Sequence, residues 1–328
     1  MKFGIISLAH MHAYSYASQI LESGNQIAGV WDEDKERGDS FSKKYNVRYY
    51  DKLEDLLSSV EVEAVIITSP TSEHYQHIKA ALEHNKHVLC EKPLCTNVAE
   101  GKKIVELVNS SAPKFMMSFP SRLDPGNILV KKLISQGVIG DILELKVRVA
   151  HSAAIDGWFE RSSWFIDSAK AGGGGFFDLG VHGADLMRWL IGEVEKVHGL
   201  VINLTKRYEI DDHGVSIMKF SNGALGVLEA GWTQSFGYNP IEVYGSSGFI
   251  FKSSSPELGL KVYSKKLGGW IVPELPRERE NVIQRFVDFV NGRKEVLASV
   301  EDGYRATEII QATYISSNFD SRTVSLPL

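Results

Sequence analysis

Two stretches of the chain carry residues whose types and spacing suit proton and hydride chemistry. The first is Cys90-Glu91-Lys92-Pro93-Leu94. Lys92 follows a short apolar run over 87–90 that reads as a strand. A lysine at the carboxyl end of a parallel strand projects toward a ligand crevice, where its ammonium can stabilise a developing alkoxide. The competing reading of Lys-Pro is a surface turn. The second stretch is the glycine run 172–175 with the residues after it, among them Asp178, His182 and Asp185. On a helix, Asp178 and His182 lie at i and i+4 on one face, with Asp185 a turn further. Histidine titrates near neutrality, so a His–carboxylate pair beside a flexible glycine loop is suitable acid/base machinery. The plainer alternative is a helix cap at Asp178 and a satisfied core histidine.

A hydride carrier needs a binding turn, and the amino terminus holds a candidate. The usual G-x-G-x-x-G that lets backbone N–H groups approach a pyrophosphate is replaced by Ser7-Leu8-Ala9-His10-Met11-His12. Ser7 and Ala9 are small enough for close approach. His12 is bulky at the third glycine position, and His10 or His12 could support a different cofactor pose. Asp32 ends the second apolar run and can accept hydrogen bonds from ribose hydroxyls, which favours NAD and leaves NADP possible. An acid at a helix start is the alternative for Asp32. Ser69-Pro70-Thr71-Ser72 ends the third run, where Thr71 or Ser72 caps a helix or meets a nicotinamide or ribose. His74 and His77 share a helix face, so a metal has to be considered. No H-E-x-x-H or cysteine pair accompanies them, and no metal is expected. Cys90 and Cys95 are five apart and are expected to pack rather than to ligate or react.

These residues need elements to hold them. Short apolar runs over 3–6, 27–31, 64–68, 87–90 and 114–119 alternate with helical stretches over 13–23, 32–45, 54–59, 72–84 and 98–109. That alternation predicts a doubly wound parallel sheet with ligands at the carboxyl ends of its strands. A helix over 125–136, a strand over 142–150 and a helix from about 179 to 190 follow. Strands over 195–204, 214–220, 224–232, 241–244, 248–252 and 260–264 then predict an open, mainly antiparallel sheet. Helices over 280–291 and 303–317 close the chain. The reading is α/β: a dinucleotide-binding domain over 1–120 and a substrate-binding and oligomerisation domain over 121–328.

Composition narrows the function classes. The 328 residues carry 36 basic and 41 acidic side chains, a net charge of −5, which gives no electrostatic reason to bind nucleic acid or an anionic membrane. No apolar run reaches the ~18 residues of a membrane span, and the apolar start is too short for a signal peptide. Two cysteines make no disulfide framework, so a cytoplasmic setting is expected.

Lys92 combined with the glycine–Asp–His element is more specific than either part. The chain resembles the glucose–fructose oxidoreductase / inositol dehydrogenase / rhizopine-catabolism (Gfo/Idh/MocA) family. The likeness runs through Ser69–His74, the stretch 86–94, Ser121-Arg122-Leu123-Asp124-Pro125, Ile139-Gly140, Trp164, residues 172–185, Asp211-Asp212 and Ser221-Asn222-Gly223. That resemblance implies a Rossmann domain followed by an α/β domain with an open sheet. It implies NAD(P)-linked oxidation or reduction of a sugar, inositol or similar polyol. Lys92, Asp178 and His182 match the family's catalytic lysine, aspartate and histidine. Ser7, Ala9, His10, His12, Asp32, Ser69, Pro70, Thr71, His74, Glu91 and Lys92 are the cofactor-binding candidates. Arg122, His151, Arg161 and Trp164 are candidate substrate contacts. The family often pairs its open sheets, which implies a homodimer or homotetramer. A catalytically silent, dinucleotide-responsive regulator on the same fold is the alternative function.

Overall fold

The structure is a computed structural model and describes residues 1–328 except 236, 237, 256, 277–279 and 321. In chain order its elements begin with β1 (Lys2–Ile6), α1 (His12–Glu22), β2 (Gln26–Trp31), α2 (Lys35–Tyr45), α3 (Leu53–Ser58), β3 (Ala64–Ile67), α4 (His74–Glu83), β4 (His87–Cys90), α5 (Val98–Asn109) and β5 (Phe115–Met117). Next come α6 (Pro125–Ser135), β6 (Ile142–Ala150), α7 (Ala153–Asp156), α8 (Ser168–Ala171), α9 (Gly175–Ile191), β7 (Val194–Ile202), β8 (His213–Phe220) and β9 (Leu225–Gly231). The chain closes with β10 (Ile241–Gly245), β11 (Gly248–Lys252), β12 (Leu260–Ser264), β13 (Gly269–Ile271), α10 (Val282–Val290), α11 (Val300–Asn318) and β14 (Val324–Ser325). Two compact units result: Met1–Pro120 with Glu280–Tyr304, and Ser121–Arg279 with Arg305–Leu328.

The first unit is built on a five-stranded sheet, β2-β1-β3-β4-β5, with every pair parallel. Its strands are apolar on both faces, as a sheet covered by helices requires. In β3 all four residues, Ala64 to Ile67, are buried. Order reverses between β1 and β3, so a ligand crevice is expected outside their carboxyl ends. Helix α1 turns Ala13, Tyr16, Ala17 and Ile20 to the core, the i, i+3, i+4, i+7 pattern of an amphipathic helix. Helix α2 starts where the Asp34 carboxylate accepts from the Glu36 and Arg37 N–H groups, and it ends on Asn46 with left-handed φ.

The sequence assigned all of 121–328 to a second domain, yet Glu280–Tyr304 folds with the first unit. Asn281 caps α10 at the Gln284 N–H and donates to Ser23 Oγ. Phe286 is fully buried, its ring 6.0 Å from that of Phe3. The Ala298 carbonyl accepts from Met117 N–H, and the Phe289 carbonyl accepts from Lys114 Nζ. These partners lie far apart in sequence, so periodicity gave no sign of them.

The second unit carries a nine-stranded sheet, β13-β12-β11-β10-β6-β9-β8-β7-β14. All pairs are antiparallel except β6 with β9. Helix α9 packs on one face through β6, β8 and β9. Cross-strand register places Leu200, Ile217, Val227, Tyr244, Phe249, Tyr263 and Trp270 on the opposite face. Charged pairs interrupt that face, including Arg148 with Glu229 at 2.8 Å.

Helix α9 begins at Gly175, four residues earlier than the sequence suggested. The cause is a distant cap. The Asp211 carboxylate accepts from the Gly174 and Phe176 N–H groups at 2.9 and 3.0 Å and from the Tyr314 hydroxyl at 2.7 Å. The glycine run is therefore packed rather than flexible. A Cβ on Gly174 would fall far inside van der Waals contact with the Asp211 carbonyl oxygen, and one on Gly175 would crowd the Asp212 carbonyl. Among the described residues no helix is long and apolar enough to cross a membrane.

Candidate active site

In the first unit, the turn after β1 replaces its glycines in different ways. Ser7 takes φ +66°, the left-handed conformation the first glycine usually supplies. Four of the turn's N–H groups, those of 8, 9, 10 and 12, are engaged within the protein. Leu8 N–H donates to Asp32, Ala9 N–H to Ser7 Oγ, His10 N–H to the Thr68 carbonyl, and His12 N–H to His10 Nδ1. Asp32 is buried, and beyond Leu8 it holds Arg37, whose Nε and Nη2 donate at 2.9 and 2.7 Å. Burial raises the Asp32 carboxyl above its ordinary value, against the lowering effect of Arg37. Arg37 is a charged neighbour that the sequence reading did not weigh.

The carboxyl ends of β3 and β4 hold the next candidates. His77 Nδ1 lies 2.8 Å from Ser69 Oγ. The His74 ring nitrogens lie 3.1 and 3.3 Å from the carbonyls of Ser69 and Leu94. Both rings are buried and serve local structure, and burial lowers both pKa values, that of His77 to about 4. Pro70, three residues past β3, precedes a 3-10 turn at Thr71–Glu73. Thr71 Oγ1 is buried without a hydrogen-bond partner among the described residues. A buried hydroxyl in that position, beside a turn that Ser7 keeps tight, fits a dinucleotide bound at this end of the sheet. The amides of 8, 9, 10 and 12 depart from the usual cradle, because their acceptors are already protein atoms.

Glu91 and Lys92 follow β4, and both are buried. The Tyr16 hydroxyl donates to Glu91 Oε2 and lies 2.5 Å from Ser118 Oγ. His12 Nδ1 is 3.3 Å from Glu91 Oε1. Burial would raise the Glu91 carboxyl, but the charges of His10, His12 and Lys92 hold it well below the usual carboxylate range. Burial and the Glu91 charge push the Tyr16 phenol up. Cys90 and Cys95 are both buried thiols, and the Cys90 thiol donates to the Glu91 carbonyl.

In the second unit, α9 presents the remaining candidates. Of residues 175–188, all are buried except Asp178 and His182, which are half-buried one turn apart. Asp178 Oδ2 accepts from Trp232 Nε1 at 2.9 Å. Asp185 instead receives Arg122 Nε and Nη2 at 2.9 and 2.7 Å in a buried ion pair. That pair gives Arg122, a candidate substrate contact, a structural task. His151 stacks on Trp158 at 4.6 Å, over a hollow lined also by Ser152, Gln234 and Asn239. Trp164 is half-buried on Phe165, and Arg161 is exposed.

A parallel sheet with a tight first turn, joined in one chain to an open-sheet unit, is the architecture of a two-unit protein with a nucleotide-binding first unit. Residues 1–119 match a family described as "Oxidoreductase family, NAD-binding Rossmann fold", and residues 128–251 match "GFO/IDH/MocA C-terminal domain". The chain belongs to the Gfo/Idh/MocA family of NAD-binding oxidoreductases. It is similar to inositol 2-dehydrogenase 3 of Saccharopolyspora erythraea, with 30% identity over 89% of this chain and 85% of that protein. It is also similar to scyllo-inositol 2-dehydrogenase (NAD(+)) of Bacillus subtilis, with 26% identity over 91% and 88%. Among solved structures, levoglucosan dehydrogenase in complex with NADH shares the fold, with a TM-score of 0.87 at 22% identity over 100% and 99% of the two chains.

Proposed function

We propose that this protein is an NAD-linked dehydrogenase or reductase acting on a CH–OH group of a sugar, inositol or related polyol. The observation that carries the reading is the pairing of Asp178 and His182 as the two residues of 175–188 kept out of the core. A helix that buries every other side chain over that length and leaves an acid/base pair accessible suits proton transfer. The inositol dehydrogenase relatives support the substrate class.

Bound NAD would supply the hydride acceptor or donor. The Lys92 ammonium donates a hydrogen bond to the reacting oxygen and stabilises negative charge as it develops. His182 takes the hydroxyl proton in oxidation or returns it in reduction. Asp178, steadied by Trp232, orients His182 or holds a substrate hydroxyl. His151, Arg161 and Trp164 contact the polyol, together with the polar hollow beside Trp158. Ser7 and Thr71 hold the nucleotide in the first unit, with Ala9, His10, His12, Asp32, Ser69, Pro70, His74 and Glu91 shaping its site. The exposed face with Ile217, Tyr244 and Trp270 joins two copies into a homodimer or homotetramer, and the protein works in the cytoplasm.

The test is a panel of sugars, inositols and their acids with NAD or NADP, read by nicotinamide absorbance. Turnover on one class is expected, with kcat falling roughly 10²- to 10⁴-fold in His182→Ala and Lys92→Ala. Unchanged turnover in His182→Ala overturns the residue roles. Nucleotide binding without turnover on any polyol would favour the regulatory alternative.

A further inference from the structure

The turn that lost its glycines gained metal-ligand chemistry. His10, His12 and Glu91 each offer one ligand atom, and the three atoms lie within 4.8 Å of one another. His10 and Glu91 are buried, and His12 is half-exposed. Two imidazoles and one carboxylate are a donor set that suits zinc and neighbouring divalent transition metals. His12 Nδ1 and Glu91 Oε1 stand 3.3 Å apart, about the ligand-to-ligand spacing in a tetrahedral zinc site.

We propose that His10, His12 and Glu91 bind a divalent transition-metal ion of the zinc type at the amino-terminal end of α1. The dehydrogenase reading gives these same three residues a part in shaping the nucleotide turn, but the metal site does not rest on that reading, because it is tested by metal binding to the chain alone. The support around the three ligands is what such a site needs. Tyr16 donates to Glu91 Oε2 and holds the carboxylate with Oε1 toward His12. The partial exposure of His12 provides an entry path, and the fourth coordination position falls to solvent or a bound ligand. In the metal-free chain His10 Nδ1 accepts the His12 N–H at 3.1 Å, and coordination by His10 exchanges that contact for a metal bond. The sequence reading sought a metal at His74 and His77 and missed this cluster, because Glu91 stands far from the two histidines in the chain.

The whole chain, stripped of metal by chelation, is titrated with zinc against a chromophoric chelator and with cobalt by visible absorption. One ion per chain is expected, with the intense cobalt absorption of a tetrahedral site. His12→Ala, a half-exposed position that the fold tolerates, should weaken zinc binding at least tenfold and abolish the cobalt band. His10→Ala should do the same. His84→Gln removes a histidine that faces a single carboxylate, Glu54 at 3.5 Å, and should change neither readout. Absence of stoichiometric binding in the wild type overturns the proposal. So does wild-type affinity in His12→Ala, which would place any bound zinc elsewhere.

Discussion

Asp32 illustrates how a neighbour changes what a carboxylate can do. Its oxygens accept from the turn through Leu8 N–H and from Arg37 through two guanidinium nitrogens. Arg37 is thus neutralised beside the place where a ribose hydroxyl or a 2′-phosphate would lie. Replacing Asp32 with alanine frees that guanidinium. The ratio of NADP to NAD affinity, measured by calorimetric titration, should rise about tenfold or more in Asp32→Ala. His77 offers a second residue-level expectation. Its folded pKa of about 4 lies below the ordinary 6.5, so the neutral form is favoured in the native state. The stability it contributes is fully present above 6.5 and is lost as pH falls toward 4. The loss amounts to at most about 3 kcal/mol, at ~1.4 kcal/mol per unit. Urea midpoints measured from pH 7 to 4 should decline, and His77→Gln should flatten part of that decline. Arg122 and Asp185 form the third case. Arg122→Ala leaves a carboxylate buried without its ion pair to Arg122, and urea denaturation should register about 3–5 kcal/mol of lost stability.

At the scale of elements, α9 depends on residues outside itself. Asp211 caps its first turn from the far side of β7, and the glycines before it let the two backbones meet. Gly174→Ala should cost about 2–4 kcal/mol by thermal or urea unfolding, since the new methyl has nowhere to go but into the Asp211 backbone. Long-range caps of this kind mark the limit of what the sequence revealed. The strands at 87–90, 142–150, 248–252 and 260–264 were legible to the residue, because alternation and turn residues are local signals. The start of α9 was not, because glycines argue against a helix until the cap from Asp211 is known. Lys92, Asp178 and His182 were singled out by residue type and spacing. The Arg37–Asp32 pair and the cluster of His10, His12 and Glu91 were not, because each is made by spatial contact rather than by a motif.

At the scale of the whole molecule, the nine-stranded sheet has one face covered by α9 and another that exposes Leu200, Ile217 and Trp270. If that face joins two copies, as proposed, Ile217→Lys with Trp270→Glu should lower the mass found by light scattering to that of one chain. Such a pair places charge in a buried apolar patch. The makeup of the first unit bears on a different matter. Its core is completed by Ile283, Phe286 and Tyr304, which are translated only after eight strands of the nine-stranded sheet, β6 to β13. During synthesis the first 120 residues therefore emerge with an apolar surface that no segment yet made can cover. Closing the unit waits until residues 283–304 have been made. A nascent chain arrested before residue 280 should remain protease-sensitive within residues 1–120, and one in which residues 280–304 have emerged should not. The protein thus delays completion of its nucleotide-binding half until most of the other half has been made.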